Sequence, residues 1–411
     1  MTTNFDIIII GAGPAGTTAA CKLIQQGFTV KILEKMQFPR FVIGESLLPH
    51  CMDYLDELGL LKCVEDLNFQ VKSGACFYHN DELCDFRFDN QYTDGWKYTY
   101  QVKRAQFDHA LAIETEKKGA NLEFKAEVLD VKTSPEIQTV TYRDSEGNEQ
   151  KLTSRFVMDA SGYGRVLPRM FDLEVPVPTP PRSAVFSHLD DSKRTDIAGN
   201  NIFVHSFNNN TSWIWSIPFS DGTASVGIVG DSTFVEECAE NGGKKYKELV
   251  STFPGLSDRY VDAEYKFEPM KVTNYSVSVK QLYGEGYILC GNSTEFLDPI
   301  FSSGVTLAIT SGYKAAEIVG THLKGEDVDF QDYSSYLQKG IDVFRSYVNG
   351  WYDGSLQNIF FSKNTNDDFR RQICSVLAGY VWDETNPFVK KHSTLLQTLN
   401  KVMNIVTPKT T

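Results

Sequence analysis

The sequence has few of the features that mark secreted, metal-binding or nucleic-acid-binding proteins. Its 411 residues include only eight cysteines, and these form neither a CxxC pair nor a Cys/His spacing typical of a metal site. Scattered cysteines in a chain of this length favour reduced thiols and a cytoplasmic location. The formal net charge of -13 argues against a broad phosphate-binding surface, so nucleic acid is not expected as a partner.

Long hydrophobic runs are also absent. The opening segment MTTNFDIIII has no basic region, and its apolar run is far too short to span a bilayer. Neither a signal peptide nor a transmembrane helix is therefore expected. The composition, with 41% hydrophobic residues, is enough for a sizeable core divided between two or more domains. The short apolar run needs a different explanation.

That explanation lies in the segment FDIIIIGAGPAGTTAACKLIQQGFTVKILEK, which has the order buried strand, glycine-rich turn, helix and second strand. The isoleucine run is typical of a parallel strand covered on both faces. Gly11 allows a tight turn, Gly13 lets the backbone approach a pyrophosphate, and Gly16 permits close packing of the helix. Pro14 and Ala15 complete the predicted cofactor contacts at the helix N-terminus, where unpaired N–H groups favour an anion.

Glu34 closes the second strand of this unit. An acidic side chain there can accept hydrogen bonds from both hydroxyls of an adenosine ribose and would repel a 2'-phosphate. This unit alone leaves FAD and NAD open, but no second glycine-rich fingerprint follows, which favours one bound dinucleotide. Asp159 and Gly162 lie in a predicted strand and turn where a dinucleotide would pass, although the segment 151–165 could equally form a hairpin turn.

A second informative segment spans residues 283–320. It reads as a short apolar strand, a turn at Gly291 and the motif DPIFSSG, which leads into a helix of small residues. Small residues let a helix lie close to a flat ring system, and the N-terminus at Ser302, Ser303 and Gly304 offers backbone N–H groups to an anion. The segment therefore predicts room for both a flavin and an anion.

Four stretches in this order resemble the flavin-dependent halogenases, within a superfamily that also holds aromatic hydroxylases and geranylgeranyl reductases. They are GAGPAG, FPRFVIGESLLP (38–49), WIWSIP (213–218) and FLDPIFSSGV (296–305). The last is similar to the branch that acts on phenols and pyrroles. The resemblance implies FAD as the cofactor and a halide, chloride or bromide, as co-substrate, with hypohalous acid as the reagent that reaches an electron-rich aromatic ring.

The resemblance also implies roles for individual residues. Lys72, in FQVKSGACF, would hold the hypohalous acid by hydrogen bonding or as a chloramine, and a solvated surface lysine is the alternative. Trp213 and Trp215 would form a wall between flavin and substrate, unless they serve only core packing. The backbone N–H groups of Ser303 and Gly304 would bind the halide.

The remaining implied cofactor and framework residues are Arg40, Glu45, Ser46, Arg104, Asn292, Pro299, Gly304 and Val305. Several of them could instead be ordinary ion-pairing or capping residues. Asn292 stands where the superfamily usually has an aspartate, so it accepts a hydrogen bond without bringing a charge.

The predicted fold class is α/β, with a Rossmann-like FAD-binding domain of the glutathione-reductase type, an inserted antiparallel β-sheet domain and a C-terminal helical region. The expected boundaries are 1–72, 101–175 and 281–330 for the FAD domain, 73–100 and 176–280 for the substrate-side sheet, and 331–411 for the helices. The spacing of apolar residues predicts an amphipathic helix over 331–352.

The predicted function is that of an FAD-dependent oxidoreductase, a halogenase that receives reduced flavin from a separate NAD(P)H flavin reductase because no nicotinamide site is visible. Its partner would be a small aromatic molecule, either free or tethered to a carrier. An FAD-dependent reductase of the geranylgeranyl type, an aromatic monooxygenase and a flavin-binding protein without turnover are the alternatives.

Overall fold

The strands and helices are described from a computed structural model that covers residues 4–79, 81–177, 180–194, 198–363 and 366–406. Residues 407–411 of the predicted helical region thus lie outside the described residues. In the described ranges the strands are β1 Phe5–Ile10, β2 Val30–Glu34, β3 Gln70–Lys72, β4 Gly74–His79, β5 Glu82–Arg87, β6 Thr99–Gln101, β7 Asn121–Phe124, β8 Glu127–Lys132, β9 Gln138–Arg143, β10 Glu149–Asp159, β11 Glu174–Val175, β12 Ser183–Asp190, β13 Ile202–Phe207, β14 Ser212–Pro218, β15 Thr223–Gly230, β16 Met270–Val272, β17 Ser278–Val279, β18 Tyr283–Gly284 and β19 Tyr287–Leu289.

The α-helices of the same ranges lie between and after these strands in the sequence. They are α1 Pro14–Gln25, α2 His50–Glu57, α3 Leu61–Glu65, α4 Arg104–Lys117, α5 Val166–Met170, α6 Ser232–Thr252, α7 Ser257–Tyr260, α8 Ser303–Leu323, α9 Phe330–Tyr352, α10 Ser355–Phe360, α11 Asp367–Leu377, α12 Pro387–Lys390 and α13 His392–Val406. Helix α6 is interrupted by non-helical backbone at Glu240–Gly243.

The first sheet has the strand order β18-β19-β10-β1-β2-β7, with β9 also paired to β10 and β8 paired to β9. Strand β1 runs parallel to both β10 and β2, and its Ile7, Ile8 and Ile9 are fully buried. This confirms the parallel strand predicted from the isoleucine run. The carboxyl ends of β1, β2 and β10 meet at one edge, which is where ligands bind in open α/β sheets.

The second sheet has the order β16-β12-β15-β14-β13-β4-β5, and its neighbouring strands are antiparallel except for β13 and β4. Side chains alternate across β14, so Trp213, Trp215 and Ile217 share one face while Ile214 packs on the other with residues of α6. The predicted α/β fold class, with an antiparallel sheet beside the dinucleotide unit, is confirmed.

A two-stranded ribbon of β3 and β6 lies where the chain passes from the first sheet to the second. It pairs Lys72 with Thr99 and Gln70 with Gln101, and Ser46 forms a further antiparallel bridge to Gln101. The predicted domain boundaries after residues 72 and 100 fall in this ribbon and stay a prediction.

Helices α9 to α13 form the C-terminal part of the described chain. Helix α9 confirms the amphipathic helix predicted over 331–352, and its apolar face, which includes Leu337, Phe344 and Trp351, is buried. Tyr333 anchors it to the first sheet by donating a hydrogen bond to the carbonyl oxygen of Leu289 at 2.6 Å. Within the described residues, no helix combines the length and apolar character needed to cross a membrane.

Candidate functional site

A cavity of about 620 Å³ lies between the carboxyl ends of β1, β2 and β10 and the tryptophan face of β14. This volume is within the range of small-molecule and cofactor sites. Most of the residues singled out in the sequence line it, namely Gly11, Gly13, Pro14, Ala15, Glu34, Arg40, Glu45, Ser46, Arg104, Gly162, Trp213, Trp215, Asn292, Pro299, Gly304 and Val305. The structure therefore brings together residues from all four of the stretches that carry the resemblance, with Glu34, Arg104, Gly162 and Asn292 from outside them.

The glycine-rich turn makes two close backbone contacts and leaves one open position. Gly11 has a φ of +100°, and a Cβ there would lie 2.5 Å from the carbonyl oxygen of Ala160. A Cβ at Gly16 would lie 2.0 Å from the carbonyl oxygen of Gly11, so Gly16 serves packing and does not line the cavity. At Gly13 the nearest group is the Arg40 guanidinium, 3.8 Å away. A ligand phosphate can thus approach the backbone at Gly13.

The carboxylate of Glu34 is fixed at the end of β2. One of its oxygens accepts a hydrogen bond from the Ala12 N–H at 2.8 Å, and the other accepts from the Met36 N–H at 2.9 Å. The side chain is buried yet lines the cavity. Its remaining lone pairs are oriented by these two bonds, which suits hydrogen bonding to ribose hydroxyls.

Two arginines meet at one carboxylate beside the turn. Arg40 Nη1 donates to Asp108 Oδ2 at 2.8 Å, while Arg104 donates from Nε and Nη2 to the two Asp108 oxygens at 2.8 and 2.9 Å. Two guanidinium charges against the one Asp108 carboxylate leave a net positive charge within this three-residue cluster. That charge favours an anionic group such as a pyrophosphate.

Glu45 contributes an oxygen that has no hydrogen-bond partner among the described residues. Its Oε1 lies 2.8 Å from His188 Nε2, whereas its Oε2 is buried and unpartnered. Because a buried acceptor without a partner is costly, this oxygen is suited to accept a hydrogen bond from a ligand in the cavity.

Asp159 is fully buried and does not line the cavity. Its carboxylate accepts hydrogen bonds from Ser161 N–H at 2.8 Å, Leu167 N–H at 2.7 Å and Ser293 Oγ at 2.9 Å. The geometry gives Asp159 a role in joining the two loops that carry Gly162 and Asn292. Its predicted contact with the dinucleotide stays a prediction.

Helix α8 begins at the cavity without a side-chain cap. Ser302 precedes it in the left-handed conformation, with φ of 57° and ψ of 25°, and lines the cavity together with Gly304 and Val305. The Ser303 side chain is buried and does not line the cavity. A Cβ at Gly304 would lie 2.9 Å from the Phe296 ring. The first N–H groups of α8 are therefore available to an anion.

The tryptophans form a rigid wall on the opposite side. The rings of Trp213 and Trp215 lie 5.6 Å apart at an angle of 48°. Trp215 Nε1 donates to Ser225 Oγ at 3.2 Å, and a Cβ at Gly227 would come within 2.2 Å of the Trp215 ring. Both side chains are buried in the core and also line the cavity, so core packing is compatible with a place in the cavity wall. Their predicted role between flavin and substrate stays a prediction.

A buried hydrogen-bond network behind this wall has no counterpart in the sequence-based predictions. Trp213 Nε1 donates to Tyr352 Oη at 3.0 Å, and Tyr352 Oη donates to Asp298 Oδ2 at 2.8 Å. Tyr275 Oη donates to the same Asp298 oxygen at 2.9 Å. Burial raises the pKa of Asp298, and the two phenol donors oppose this rise. Asp298 also accepts from Ile300 N–H, which shapes the loop that precedes α8.

Lys72 is buried, with 1% of its surface exposed, and it does not line the cavity directly. Its Nζ donates to Ser46 Oγ at 2.9 Å and to the carbonyl oxygen of Leu47 at 2.8 Å. Burial lowers the pKa of Lys72 to about 7, and the nearby Cys51 thiol opposes this shift. Because Ser46 lines the cavity, the amine stands immediately behind its wall. The alternative of a solvated surface lysine is wrong.

Comparison with known proteins agrees with this geometry. The family described as FAD binding domain matches residues 4–336. The chain belongs to this FAD-binding family. Among solved structures, a flavoprotein/dehydrogenase from Cytophaga hutchinsonii is 46% identical with a TM-score of 0.95, covering 98% of this chain and 99% of its own. A myxobacterial chondrochloren halogenase is 27% identical with a TM-score of 0.76, covering 97% of each chain.

Curated relatives of this FAD-binding protein include halogenases. A 1H-pyrrole-2-carbonyl-[peptidyl-carrier protein] chlorinase from Pseudomonas fluorescens is 27% identical over 406 residues, covering 92% of this chain and 90% of the relative. The corresponding brominase from Pseudoalteromonas luteoviolacea is 26% identical over 397 residues, covering 92% and 93%. The resemblance to flavin-dependent halogenases and the prediction of an FAD-dependent enzyme are confirmed.

The cavity of the FAD-binding protein fits its cofactor at several points. The open position at Gly13 and the two arginines suit the pyrophosphate, and Glu34 suits the adenosine ribose. Close packing of α1 on α8 holds the glycine-rich turn beside the start of α8, and the two helices meet so tightly that a Cβ at Gly312 would lie 2.2 Å from the Ala15 carbonyl oxygen. The side chain of Asn292 lines the cavity without a charge, while its carbonyl oxygen accepts from Arg165 at 2.8 Å.

Proposed function

We propose that this FAD-binding protein is a halogenase that oxidises halide in the FAD cavity and passes hypohalous acid to an electron-rich aromatic substrate beside Lys72. The observation that carries the proposal is the hydrogen bond from the buried Lys72 amine to Ser46, a residue of the cavity wall. Bound FAD would supply the electrons that activate oxygen. The halogenase relatives support this assignment.

Each part of the site has a distinct task in this proposal. The uncapped N-terminus of α8, with the N–H groups of Ser303 and Gly304, would hold the halide. Trp213 and Trp215 would keep the organic substrate out of the FAD cavity, so that only a small oxidant passes. The amine of Lys72 would then hold that oxidant, because its hydrogen bond to Ser46 places it directly behind the cavity wall.

The pKa of about 7 gives Lys72 two ways to act. As an ammonium it can donate a hydrogen bond to the oxygen of hypohalous acid. As a neutral amine it can attack the halogen, forming an N–halogen bond while water leaves. Near neutral pH both forms are populated, so the pH dependence of halogenation distinguishes the two modes.

For the substrate we propose a small pyrrole or phenol, with the carrier-tethered pyrrole as the first candidate. The relatives named as pyrrolyl-carrier chlorinase and brominase support this choice. A separate NAD(P)H flavin reductase would deliver the reduced flavin. A cytoplasmic location, where that reductase and its nicotinamide are available, completes the proposal.

Mass spectrometry of products tests the assignment. The purified protein is supplied with FAD, a flavin reductase, NADH, oxygen and bromide, and with free and carrier-tethered pyrroles, phenols and indoles. The expected product is heavier by one bromine and is absent without bromide. Lys72→Met should abolish it while retaining FAD, and Lys132→Met, which removes an exposed lysine of β8, should leave it unchanged.

A second candidate is an FAD-dependent dehydrogenase or reductase. The observation that favours it is the 46% identity to the flavoprotein/dehydrogenase from Cytophaga hutchinsonii. In that case the organic product would be hydrogenated or dehydrogenated without any need for halide. Activity would also survive in Lys72→Met, because no oxidant would have to be held by the amine.

A further inference from the structure

Two polar side chains beside Lys72 have no hydrogen-bond partner in the described part of the chain. The amide of Gln101 is unpartnered at both Oε1 and Nε2, and the hydroxyl of Thr99 is unpartnered as well. Both side chains are fully buried. Polar groups in protein interiors are nearly always hydrogen-bonded, so these groups are suited to bind a small molecule that donates and accepts hydrogen bonds.

The pairing register places these groups around the amine. Residues directly opposite in antiparallel strands point to the same face, so Thr99 shares the face of Lys72, and Gln101, two residues along β6, shares it too. Ser46 is bridged to Gln101 from the other side and accepts the Lys72 hydrogen bond. The four buried side chains therefore lie together on one face of the ribbon, and Ser46 also lines the FAD cavity.

We propose that Gln101 and Thr99, together with Lys72, form a subsite that holds a small neutral hydroxylic molecule, which during turnover is hypohalous acid. This inference rests on the proposed halogenase function. A primary amide both donates and accepts, so Gln101 can accept the O–H of the acid and donate to its oxygen. The halogen atom of the acid then has no hydrogen bond, and it faces the substrate.

The burial of these side chains favours the neutral acid over its anion. Moving an anion into a dry site is far more costly than moving a neutral hydroxylic molecule. Lys72 already donates to Ser46 and to Leu47, so a single N–H remains for the guest when the amine is protonated. Orientation of the acid must therefore come from Gln101 and Thr99, which act as positioning residues.

The test compares stability with product yield in three variants. Gln101→Met and Thr99→Val remove the unpartnered groups, and Thr18→Val is the matched control because Thr18 is equally buried and unpartnered but lies in α1. In the cofactor-free protein, all three should keep or raise the Tm. Under bromination conditions Gln101→Met should lose at least tenfold in product, with a matching rise in oxidised bromine caught by a soluble β-diketone trap, whereas Thr18→Val should match the wild type.

The outcomes separate the inference from the proposed function. Wild-type product yield in Gln101→Met and Thr99→Val would overturn the inference and leave the halogenase intact. A loss of yield without a rise in trapped bromine would also overturn it, because halide oxidation would then be the impaired step. A wild-type protein that oxidises no bromide would overturn the proposed function itself. If Gln101→Met does not fold, Thr99→Val carries the same comparison.

Discussion

Replacing Lys72 with methionine is expected to stabilise the protein by an amount that depends on pH. Burial lowers the pKa of Lys72 from 10.5 to about 7. Below pH 7 the Lys72 amine is protonated in both the folded and the unfolded chain. The full free-energy cost of burying the charge then lowers the free energy of unfolding. Between the two pKa values only the unfolded chain binds the proton, and stability therefore rises with pH in this window.

The magnitude follows from the size of the shift. At 1.36 kcal/mol per pKa unit, the full lowering corresponds to roughly 5 kcal/mol of unfolding free energy. About 2 kcal/mol of this unfolding free energy is regained between pH 7 and pH 9. Over that interval the folded amine becomes neutral, whereas the unfolded amine keeps its proton until the pH approaches its ordinary pKa. The advantage of Lys72→Met over the wild type should shrink by that amount across the same interval.

Urea unfolding of the cofactor-free protein at pH 7 and pH 9 measures this difference. Wild type and Lys72→Met share every other titrating group, so the change in their free-energy difference isolates the Lys72 amine. Lys132→Met, at an exposed position, should show no such change. An advantage for Lys72→Met that is equal at the two pH values would refute the reasoning, because the amine would then behave as a solvated lysine.

Three further perturbations test other parts of the site. Tyr352→Phe removes the acceptor of Trp213 and should lower the free energy of unfolding by about 1–3 kcal/mol and shift the indole fluorescence; unchanged values would contradict the network. Gly312→Ala should weaken FAD binding at least tenfold in a fluorescence titration, since its Cβ would force α1 and α8 apart; wild-type affinity would show that the helices can separate freely. Turnover with halide but without organic substrate should add oxygen to Cys51, because its thiol lies close enough to Lys72 to affect the pKa of the amine. Mass spectrometry should detect this oxygen on Cys51 and find Cys238, in another core cluster, unmodified.

The sequence was most informative where a local motif carries the chemistry. The isoleucine run, the glycine-rich turn and Glu34 lie in one continuous segment, so their spacing alone predicts both the strand–turn–helix unit and its ligand. The small residues that open α8 were found in the same way. Alternation of side chains along β14 likewise predicted the shared face of the two tryptophans.

Other features depend on contacts between distant segments and leave no local pattern. Asp298 accepts hydrogen bonds from Tyr275 and Tyr352 only because the fold brings these distant positions together. A single tyrosine or aspartate forms no repeating pattern in the sequence that would predict such a contact. The burial of Lys72 runs against the strong preference of lysine for the surface. Thr99 and Gln101 were unremarkable in sequence because their significance comes from the pairing of β6 with β3.

The hydrogen bond between Trp213 and Tyr352 limits which segments this protein can exchange with a relative. Tyr352 is the last residue of α9, so a hydrogen bond connects the C-terminal helices to the tryptophan wall. These helices are therefore not an independent module. A hybrid enzyme that takes these helices from another parent would need to supply a hydroxyl at the same place. Recombination is expected to yield working hybrids when β14 and the end of α9 come from one parent.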